Sequence, residues 1–355
     1  MSTATRRGWL PREGFTADLV GAFIKSTLLH PGKTLLALLV VQYYAPSGRY
    51  LGRHHPTALR ALRVFLVLGF LRAFNAWLSR RAINNGASDR YDWPREVVVV
   101  TGGSDGIGKQ IVLLLAARAK PKIAILDIQE PRYDLPDGVR FYRCDIINSE
   151  AIAAAAAQIR TDLGADPTVL INNAGILIAR PMLEGTEAET RLTFEVNTLS
   201  HYRLAREFLP AMVSRNHGMV VTVASLAGLV TVSNMVDYAA SKAAAVAFHE
   251  GLATELVTRY GAPRVRTVLV TQTFTRTLLL GVISPEHSFT SPVLEPETVA
   301  EAIVDQVLTG KSGLVSLPGT TGWLSWQLRS LPLWLQNRVR NRLERQTRPP
   351  GKKTS

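Results

Sequence analysis

The chain has 355 residues but only one cysteine, Cys144, and this scarcity excludes several kinds of site. A single cysteine cannot form an internal disulfide, and no cysteine cluster is present to hold zinc or an iron–sulfur centre. The seven histidines are scattered except for His54 and His55. That pair has no carboxylate or cysteine beside it and is more typical of a solvated loop than of a metal site. We therefore expect no metal.

Acidic residues are also few, at 28 against 41 Lys+Arg, and the excess of positive charge lies at the two ends of the chain. Residues 1–95 hold 14 Lys+Arg against 4 Asp+Glu, residues 323–355 hold 8 against 1, and the middle holds 19 against 23. A nucleic-acid binder carries its basic charge on the folded domain, so no nucleic-acid partner is expected. Basic ends that are also apolar suit a membrane surface with anionic headgroups.

The N-terminal region lacks an uninterrupted apolar run of the roughly 20 residues that span a bilayer. The run Thr34–Ala45 is too short, and the run Ala61–Leu78 contains Arg63 and Arg72. We predict a hydrophobic hairpin, or a pair of helices in the membrane plane, that anchors residues 1–95 in one leaflet. The alternative is an extra helix pair packed on a soluble domain.

The C-terminal segment, residues 319–355, combines aromatic and basic residues. Trp323, Trp326 and Trp334 stand among arginines, which is the composition of a segment at a membrane interface. A dimer contact and a lid over a substrate pocket remain open as alternatives.

Between these ends, residues 96–318 alternate between short β-branched runs and helical stretches. This alternation, with apolar strands, predicts a parallel sheet covered by helices on both faces, the Rossmann-like doubly wound α/β class. The predicted strands are Glu96–Val100, Lys122–Leu126, Val139–Cys144, Thr168–Asn172, Met219–Ala224 and Val265–Val270, and the predicted helices are Lys109–Ala119, Ser149–Leu163, Thr186–Asn197, Leu199–Ser214 and Tyr238–Tyr260.

A glycine-rich turn directly follows the first predicted strand. Thr101, Gly102, Gly106 and Gly108 occur in the order TGxxxGxG before a helix. Glycines let the backbone approach a pyrophosphate, and the helix N-terminus offers free N–H groups to it. Asp127, at the end of the second strand, is placed to accept hydrogen bonds from ribose hydroxyls. Together with Asp105 in the turn, it favours NAD over NADP.

These features resemble the short-chain dehydrogenase/reductase family across roughly residues 96–280. The matching motifs are TGGSDGIG, Asp127, CDI with Asp145, NNAG at Asn172–Gly175, VN ending at Asn197, VASLAG with Ser225, and YAASK from Tyr238 to Lys242. The resemblance implies an oxidoreductase whose dinucleotide contacts include Thr101, Gly102, Ser104, Gly106, Ile107, Gly108, Asp127, Asp145, Asn173, Tyr238, Lys242 and Thr277.

The resemblance also implies catalytic roles for Asn197, Ser225, Tyr238 and Lys242. A free tyrosine has a pKa of about 10 and is a weak base at neutral pH, but the ammonium of Lys242, one helical turn away, favours the phenolate. Ser225 would hydrogen-bond the substrate oxygen, and Asn197 would hold a water that links Lys242 to solvent. The alternative is a scaffold that binds a dinucleotide without turnover.

Residues 196–256 resemble the membrane-associated branch that contains retinol dehydrogenases and lipid-droplet 17-beta-hydroxysteroid dehydrogenases. That resemblance implies a lipophilic alcohol or ketone (a retinoid, steroid, long-chain alcohol or terpenoid) as substrate, with a secondary-metabolite tailoring reaction as the alternative. It further implies a location at the endoplasmic reticulum or a lipid droplet with the catalytic domain in the cytosol, and a homodimer formed through the helices Leu199–Ser214 and Tyr238–Tyr260.

One departure from the family pattern follows the sixth predicted strand. Gln272 and Thr273 stand where the family usually has Pro-Gly. Without the fixed φ of proline, this loop is expected to take a different shape. The apolar, proline-punctuated segment from Leu278 onward is expected to form a substrate loop.

Overall fold

The computed structural model describes residues 11–44 and 56–347 of the chain. The chain forms two compact units, Phe15–Gly86 and a larger unit that combines Met1–Gly14 with Ala87–Ser355. The loop between the two apolar N-terminal runs, including His54 and His55, lies outside the described residues.

The described part of the smaller unit consists of helices and the turns between them. Helix α1 (Ala17–Ser26) and helix α2 (Pro31–Leu39) are followed by a π-helical turn at Val40–Tyr44, and helix α3 covers Pro56–Ile83. The side chain of His30 caps α2 by accepting a hydrogen bond from the Lys33 N–H. Helix α3 runs without a break through both Arg63 and Arg72, which the sequence analysis took as interruptions.

Most large apolar side chains of α3 face outward. Val67, Phe70, Leu71, Phe74 and Trp77 are all about half exposed or more. At 28 residues, α3 is long and apolar enough to cross a membrane, and α1 with the helix after it forms a bent pair that meets the same test of length and composition together. Exposed apolar side chains in such number are typical of a surface that contacts another protein or a membrane.

The larger unit is built on a seven-stranded parallel sheet, and this confirms the predicted Rossmann-like doubly wound class. Its strand order is β3-β2-β1-β4-β5-β6-β7. The strands are β1 (Val97–Thr101), β2 (Lys122–Asp127), β3 (Val139–Arg143), β4 (Val169–Asn172), β5 (Met219–Val223), β6 (Arg266–Gln272) and β7 (Gly313–Leu317). Because the chain order reverses between β1 and β4, the carboxyl ends of these two strands open a crevice between the helices on the two faces.

Each face of the sheet carries its own apolar core because both faces are covered. One core joins alternate residues of β1, β2 and β4 to Ile152, Phe208 and Leu252 of the helices above them. The other joins the remaining strand residues to Ile111 and Ile303. Burial on both sides explains why the strands read as continuous Val/Ile/Leu runs instead of alternating ones.

The helices of this unit match the predicted ones to within a few residues and add three more. They are α4 (Gly106–Arg118), α5 (Ser149–Leu163), α6 (Glu187–Phe194), α7 (Ser200–Arg215), α8 (Val236–Thr258), α9 (Pro296–Leu308), α10 (Gly319–Gln327) and α11 (Leu333–Leu343). The helix predicted at Thr186–Asn197 is α6, which ends at Phe194. A π-helical turn, Glu195–Leu199, follows it and leads into α7. Helix α9 and strand β7 were not predicted.

At the amino end of the sheet, His217 lies between two carboxylates. Its Nδ1 is 2.7 Å from Asp89 Oδ2, and its Nε2 is 3.2 Å from Glu96 Oε2. The hydrogen bond with Glu96, together with Asp89, raises the pKa of His217. Burial pushes the pKa of Glu96 upward, but hydrogen bonds from His217 and Thr168 outweigh it, so the net change is a lowered pKa. The cluster joins the segment before β1 to the residue that leads into β5.

We expect His217→Gln to lower stability in a pH-dependent manner. A raised His217 pKa means that its contribution is complete below the unfolded value of about 6.5 and is lost as pH rises through the folded value. The difference in unfolding temperature between wild type and variant should therefore be largest below about pH 6.5, where it corresponds to about 1–3 kcal/mol, and should shrink as the pH rises through the raised pKa of His217. Thermal unfolding across this range checks it. A difference independent of pH would show that His217 acts by packing alone.

Candidate active site

The glycine-rich turn at the end of β1 is shaped by close backbone contacts. Gly102 and Gly106 have positive φ values of 66° and 56°. A Cβ on Gly108 would lie 2.6 Å from Asn173 Nδ2 and would also overlap the Gly102 carbonyl. Only glycine fits at Gly108, and α4 can therefore begin directly against the strand end with its first N–H groups turned toward the crevice.

Side chains tie this turn to the neighbouring strand. The Thr101 hydroxyl accepts hydrogen bonds of 3.0 Å from the N–H groups of both Asn173 and Ala174, and it donates to the Ile171 carbonyl. Asn173 Nδ2 in turn donates to the carbonyl of Thr101 at 2.9 Å. The two strand ends that border the crevice are thus locked together.

Asp127 and Ser104 fix the other side of the turn. One carboxylate oxygen of Asp127 accepts from the Ser104 N–H and the other from the Gln129 N–H, both at 3.1 Å. Ser104 Oγ donates to the Gln129 carbonyl at 2.6 Å. Asp127 therefore stands at the end of β2 beside the glycine turn, where it still has lone pairs free for a hydroxyl donor.

These residues fit a dinucleotide. The missing side chains at Gly102, Gly106 and Gly108 clear the approach to an N-terminal helix turn, which is the arrangement that binds a pyrophosphate. The Asp127 carboxylate provides an acceptor for a ribose hydroxyl. Asp145, by contrast, is exposed at the end of β3, where it accepts a hydrogen bond from the Ile147 N–H.

Lys242 is buried at the centre of the site, with a side chain only 3% exposed. Its Nζ donates to the carbonyl of Val223, at the end of β5, at 2.9 Å. Burial lowers the pKa of Lys242 to about 8. Two glycines make room for this lysine, because a Cβ on Gly175 would be 3.3 Å from its Nζ and a Cβ on Gly228 would be 2.7 Å from its carbonyl carbon.

Asn197 projects into the same buried region from the π-helical turn. Its Oδ1 accepts from the Ile176 N–H at 2.8 Å, and its Nδ2 donates to the Ile176 carbonyl and to Ser241 Oγ at 2.9 and 3.1 Å. The extra residue of a π turn re-aims a side chain that a regular helix would direct elsewhere. Asn197 Oδ1 would also lie 3.2 Å from a Cβ on Gly175, so it borders the same space as Lys242 Nζ.

Tyr238 and Ser225 face each other next to Lys242. Burial raises the pKa of the Tyr238 phenol, and its hydrogen bond with Ser225 opposes that increase only in part. Lys242 Nζ is 5.9 Å from the centre of the tyrosine ring. Ser225 Oγ donates to the Gln272 carbonyl at 3.3 Å and accepts from the Ala227 N–H at 3.1 Å. The pKa of Tyr238 is therefore raised by burial, in the opposite direction to the lowering expected from Lys242.

A cavity of about 390 Å³ opens in front of Ser225 and Tyr238. Ile107 and Thr277, both predicted to contact the dinucleotide, line it together with Leu177 and Phe274. Further along, its wall is formed by side chains of the C-terminal segment, Leu328, Val339 and Leu343 among them. The lining is mainly apolar, and its polar members include Ser225, Tyr238 and Gln272.

The Gln272–Thr273 departure changes how the loop after β6 is held. Gln272 still pairs with Leu317 of β7, and the Thr273 N–H continues the ladder by donating to the Leu317 carbonyl at 2.9 Å. In the family pattern proline would stand at position 272, where Gln272 here keeps its backbone N–H and its register with β7. A second pairing, in which the Arg276 N–H donates to the Leu294 carbonyl at 2.8 Å, then directs Thr277 toward Gly106.

The carboxyl edge of the sheet therefore brings Asn197, Ser225, Tyr238 and Lys242 together beside the glycine turn, and Ser225 and Tyr238 line the cavity. Sequence reasoning missed the backbone acceptors at Val223 and Gln272, because a carbonyl group leaves no signal in the residue type. It also missed the part that Val339 and Leu343 play in the cavity wall. In the described residues, 11–44 and 56–347, no cluster of His, Cys, Asp or Glu could hold a metal ion.

Comparison with known proteins agrees with this geometry. The sequence profile of the short chain dehydrogenases matches residues 96–287. Dehydrogenase RED2 of Cochliobolus heterostrophus is 48% identical over 203 residues, which cover 56% of this chain and 76% of RED2. Human estradiol 17-beta-dehydrogenase 11 is 33% identical over 245 residues, which cover 67% of this chain and 79% of that protein.

Among solved structures, a short chain dehydrogenase from Burkholderia cenocepacia in complex with NADP superposes with a TM-score of 0.60. It is 28% identical, and the match covers 70% of this chain and 99% of that one.

The chain belongs to the short-chain dehydrogenase family and is an oxidoreductase. The family binds NAD(P), and the resemblance to the hydroxysteroid dehydrogenase branch is confirmed.

Proposed function

We propose that the protein interconverts a lipophilic alcohol and its ketone or aldehyde with NAD. The observation that carries the proposal is the mainly apolar cavity that Ser225 and Tyr238 line. A retinoid, steroid, long-chain alcohol or terpenoid fits a cavity with this lining. A secondary-metabolite alcohol, the alternative predicted from the family resemblance, belongs to the same chemical class.

In this proposal Tyr238 removes the hydroxyl proton of the alcohol while Ser225 donates a hydrogen bond to the same oxygen. When bound, the dinucleotide supplies the hydride acceptor at its nicotinamide ring. Lys242, held against the Val223 carbonyl, provides positive charge that favours the phenolate of Tyr238. Asn197 positions the segment around Ile176 and borders the space beside Lys242, where a water would connect the lysine to solvent.

The proposed preference for NAD over NADP rests on the negative charge of two carboxylates at the glycine turn. The Asp127 carboxylate beside the glycine turn would repel a 2′-phosphate and would accept hydrogen bonds from free ribose hydroxyls. Asp105 adds a second negative charge in the turn itself. No lysine or arginine occurs in the TGGSDGIG motif to offset them.

The smaller unit supports association with a membrane. Helix α3 exposes a row of large apolar side chains over a length sufficient to cross a bilayer. Burial in lipid removes this surface from water. The endoplasmic reticulum or lipid droplet, with the catalytic unit in the cytosol, stays the location predicted from the family resemblance, and the homodimer likewise stays a prediction.

We expect Tyr238→Phe to lower kcat by roughly a hundred- to ten-thousandfold, because the variant keeps the ring but loses the proton acceptor. Steady-state turnover of a long-chain secondary alcohol with NAD, beside NAD titration by fluorescence, makes the measurement. Dinucleotide affinity should change little. Tyr202→Phe is the matched control, since Tyr202 is an exposed tyrosine packed against Phe248 outside the cavity. Full activity of Tyr238→Phe would remove Tyr238 from the mechanism.

We expect Asp127→Arg to shift the ratio of kcat/KM for NAD over NADP toward NADP by roughly tenfold or more, because an attractive charge replaces a repulsive one at the 2′-phosphate. Asp127→Asn removes the negative charge but keeps an amide oxygen that can accept a hydrogen bond from the Ser104 or Gln129 N–H, so it tests the charge while the turn stays folded. Its ratio should fall between the other two. An unchanged ratio in both variants would refute the role given to Asp127.

We expect the full-length chain to stay in the membrane pellet after alkaline carbonate extraction of expressing cells. Replacing Val67, Leu71 and Phe74 by aspartate places charge on one exposed face of α3 and should release the protein, because a buried charge is costly in lipid. Immunoblotting of pellet and supernatant measures the partition. Wild-type protein found in the supernatant would contradict the membrane anchor.

A further inference from the structure

The two helices after β7, α10 and α11, have an inner and an outer face, and we call them together the C-terminal helix pair. On the inner face, Leu324, Leu328, Val339 and Leu343 line the cavity that contains Ser225 and Tyr238. Leu328 also packs with Leu226, Leu229 and Val230 in a small apolar cluster. The helix pair is therefore one wall of the substrate cavity.

Polar contacts join this wall to the rest of the larger unit. Arg329 Nη2 donates to the Gly228 carbonyl at 3.3 Å, and Asn234 Nδ2 donates to the Thr347 carbonyl at 3.2 Å. The Thr321 hydroxyl donates to the Thr290 carbonyl of the substrate loop. Packing of apolar side chains provides the remaining attachment, and it leaves the outer face uncovered.

The outer face of α11 is a cationic strip. Trp334, Arg338, Arg342 and Arg345 recur at spacings of three or four residues, so they lie along one side of the helix. With Asn337 and Asn341 they border a shallow groove, and all six are exposed. Among the residues that the structure describes, the side chains of these three arginines make no ion pair. Three unpaired guanidinium groups on one face form a binding surface for phosphate or carboxylate.

Large apolar side chains of the helix pair are also exposed, and one of them, Trp334, is part of the strip. Leu333 is 74% exposed and Trp334 is 66% exposed at the start of α11, and Trp323 is 64% exposed on α10. A nucleic acid or an acidic peptide would pair with the arginines but would leave these aliphatic and indole groups in water. Indole rings beside arginines, with leucines next to them, match the interface of a bilayer, where rings lie at headgroup depth and guanidinium groups contact phosphate.

We propose that the outer face of the C-terminal helix pair docks on an anionic phospholipid surface and that lipophilic substrate passes along this pair from the bilayer into the cavity. The charge of the segment is complementary to such a surface, with 8 Lys+Arg against 1 Asp+Glu in residues 323–355. The docked face and the cavity wall are opposite sides of the same helix, so substrate need not cross bulk water. The delivery step rests on the proposed function, whereas the docking does not.

Amide hydrogen exchange of the full-length chain tests the docking directly. The protein is incorporated into vesicles of phosphatidylcholine alone or of phosphatidylcholine with phosphatidylserine. We expect exchange across residues 328–347 to slow several-fold in the vesicles that contain phosphatidylserine, relative to the neutral ones. Equal exchange in the two compositions would overturn the proposal. Protection that instead rises with protein concentration in neutral vesicles would overturn it as well, because a second copy of the chain would then cover the face.

Two charge-reversal variants sharpen the measurement. Arg338→Glu, Arg342→Glu and Arg345→Glu together should abolish the added protection, since the attraction of each basic residue to an anionic surface is worth roughly fivefold in partitioning. The matched control reverses Arg259, Arg264 and Lys311, which are exposed near the opposite, amino end of the sheet. The control changes net charge equally and should keep the protection. Loss of protection in both variants would mean that overall charge, and not this face, is responsible.

Turnover separates the docking from the proposed function. With a membrane-dissolved long-chain secondary alcohol, phosphatidylserine should increase the rate of the wild type and of the control variant but not of the outer-face variant. A short, water-soluble secondary alcohol should be oxidised equally by all three. A rate increase retained by the outer-face variant would refute delivery along the helix pair. Protection in the wild type without turnover of any alcohol would refute the proposed function and leave the docking intact.

Discussion

The burial of one ammonium group governs the architecture of the active site. Lys242 is almost inaccessible, and its Nζ has a hydrogen bond only to the Val223 carbonyl among the contacts described for it. A cation removed from water is costly, and burial accordingly brings the pKa of Lys242 down to about 8. The Val223 carbonyl at the end of β5 offsets part of that cost by accepting a hydrogen bond from Nζ. Gly175 and Gly228 leave space for the lysine, and the Asn197 carboxamide borders the same space. A lysine with a lowered pKa next to a phenol is suited to exchanging protons near neutral pH.

The two ends of the sheet have opposite characters, and the difference follows from what each must do. At the amino end, the charges of Asp89, Glu96 and His217 neutralise one another at short range, which stabilises the fold. At the carboxyl end, the Lys242 ammonium has no carboxylate partner in the described residues, whereas the Asp127 carboxylate lies on the Ser104 N–H of the glycine turn. The unpaired positive charge of Lys242 favours a phenolate at Tyr238.

Much of this arrangement was predictable because its signals are local. The TGxxxGxG turn and the Tyr238–Lys242 spacing each specify a backbone geometry within a few residues. Strand β7 was missed because Gly313–Leu317 is short and only partly buried at the sheet edge. The route of α3 through Arg72 was missed because a helix that exposes most of its surface can turn a long arginine side chain away from its apolar neighbours. The contribution of Val339 to the cavity depends on a return of the chain across the fold, which no local pattern records.

One wall of the cavity is formed by residues that follow the last strand in sequence, and this allows two properties of the enzyme to vary separately. Every group proposed to react lies before β7, whereas that wall is formed by the segment that follows it. Exchanging that segment would alter which molecules fit, while the reacting atoms stayed where they are. Selectivity for a substrate and the power to oxidise it can therefore change independently in this fold, one through the tail and the other through the sheet.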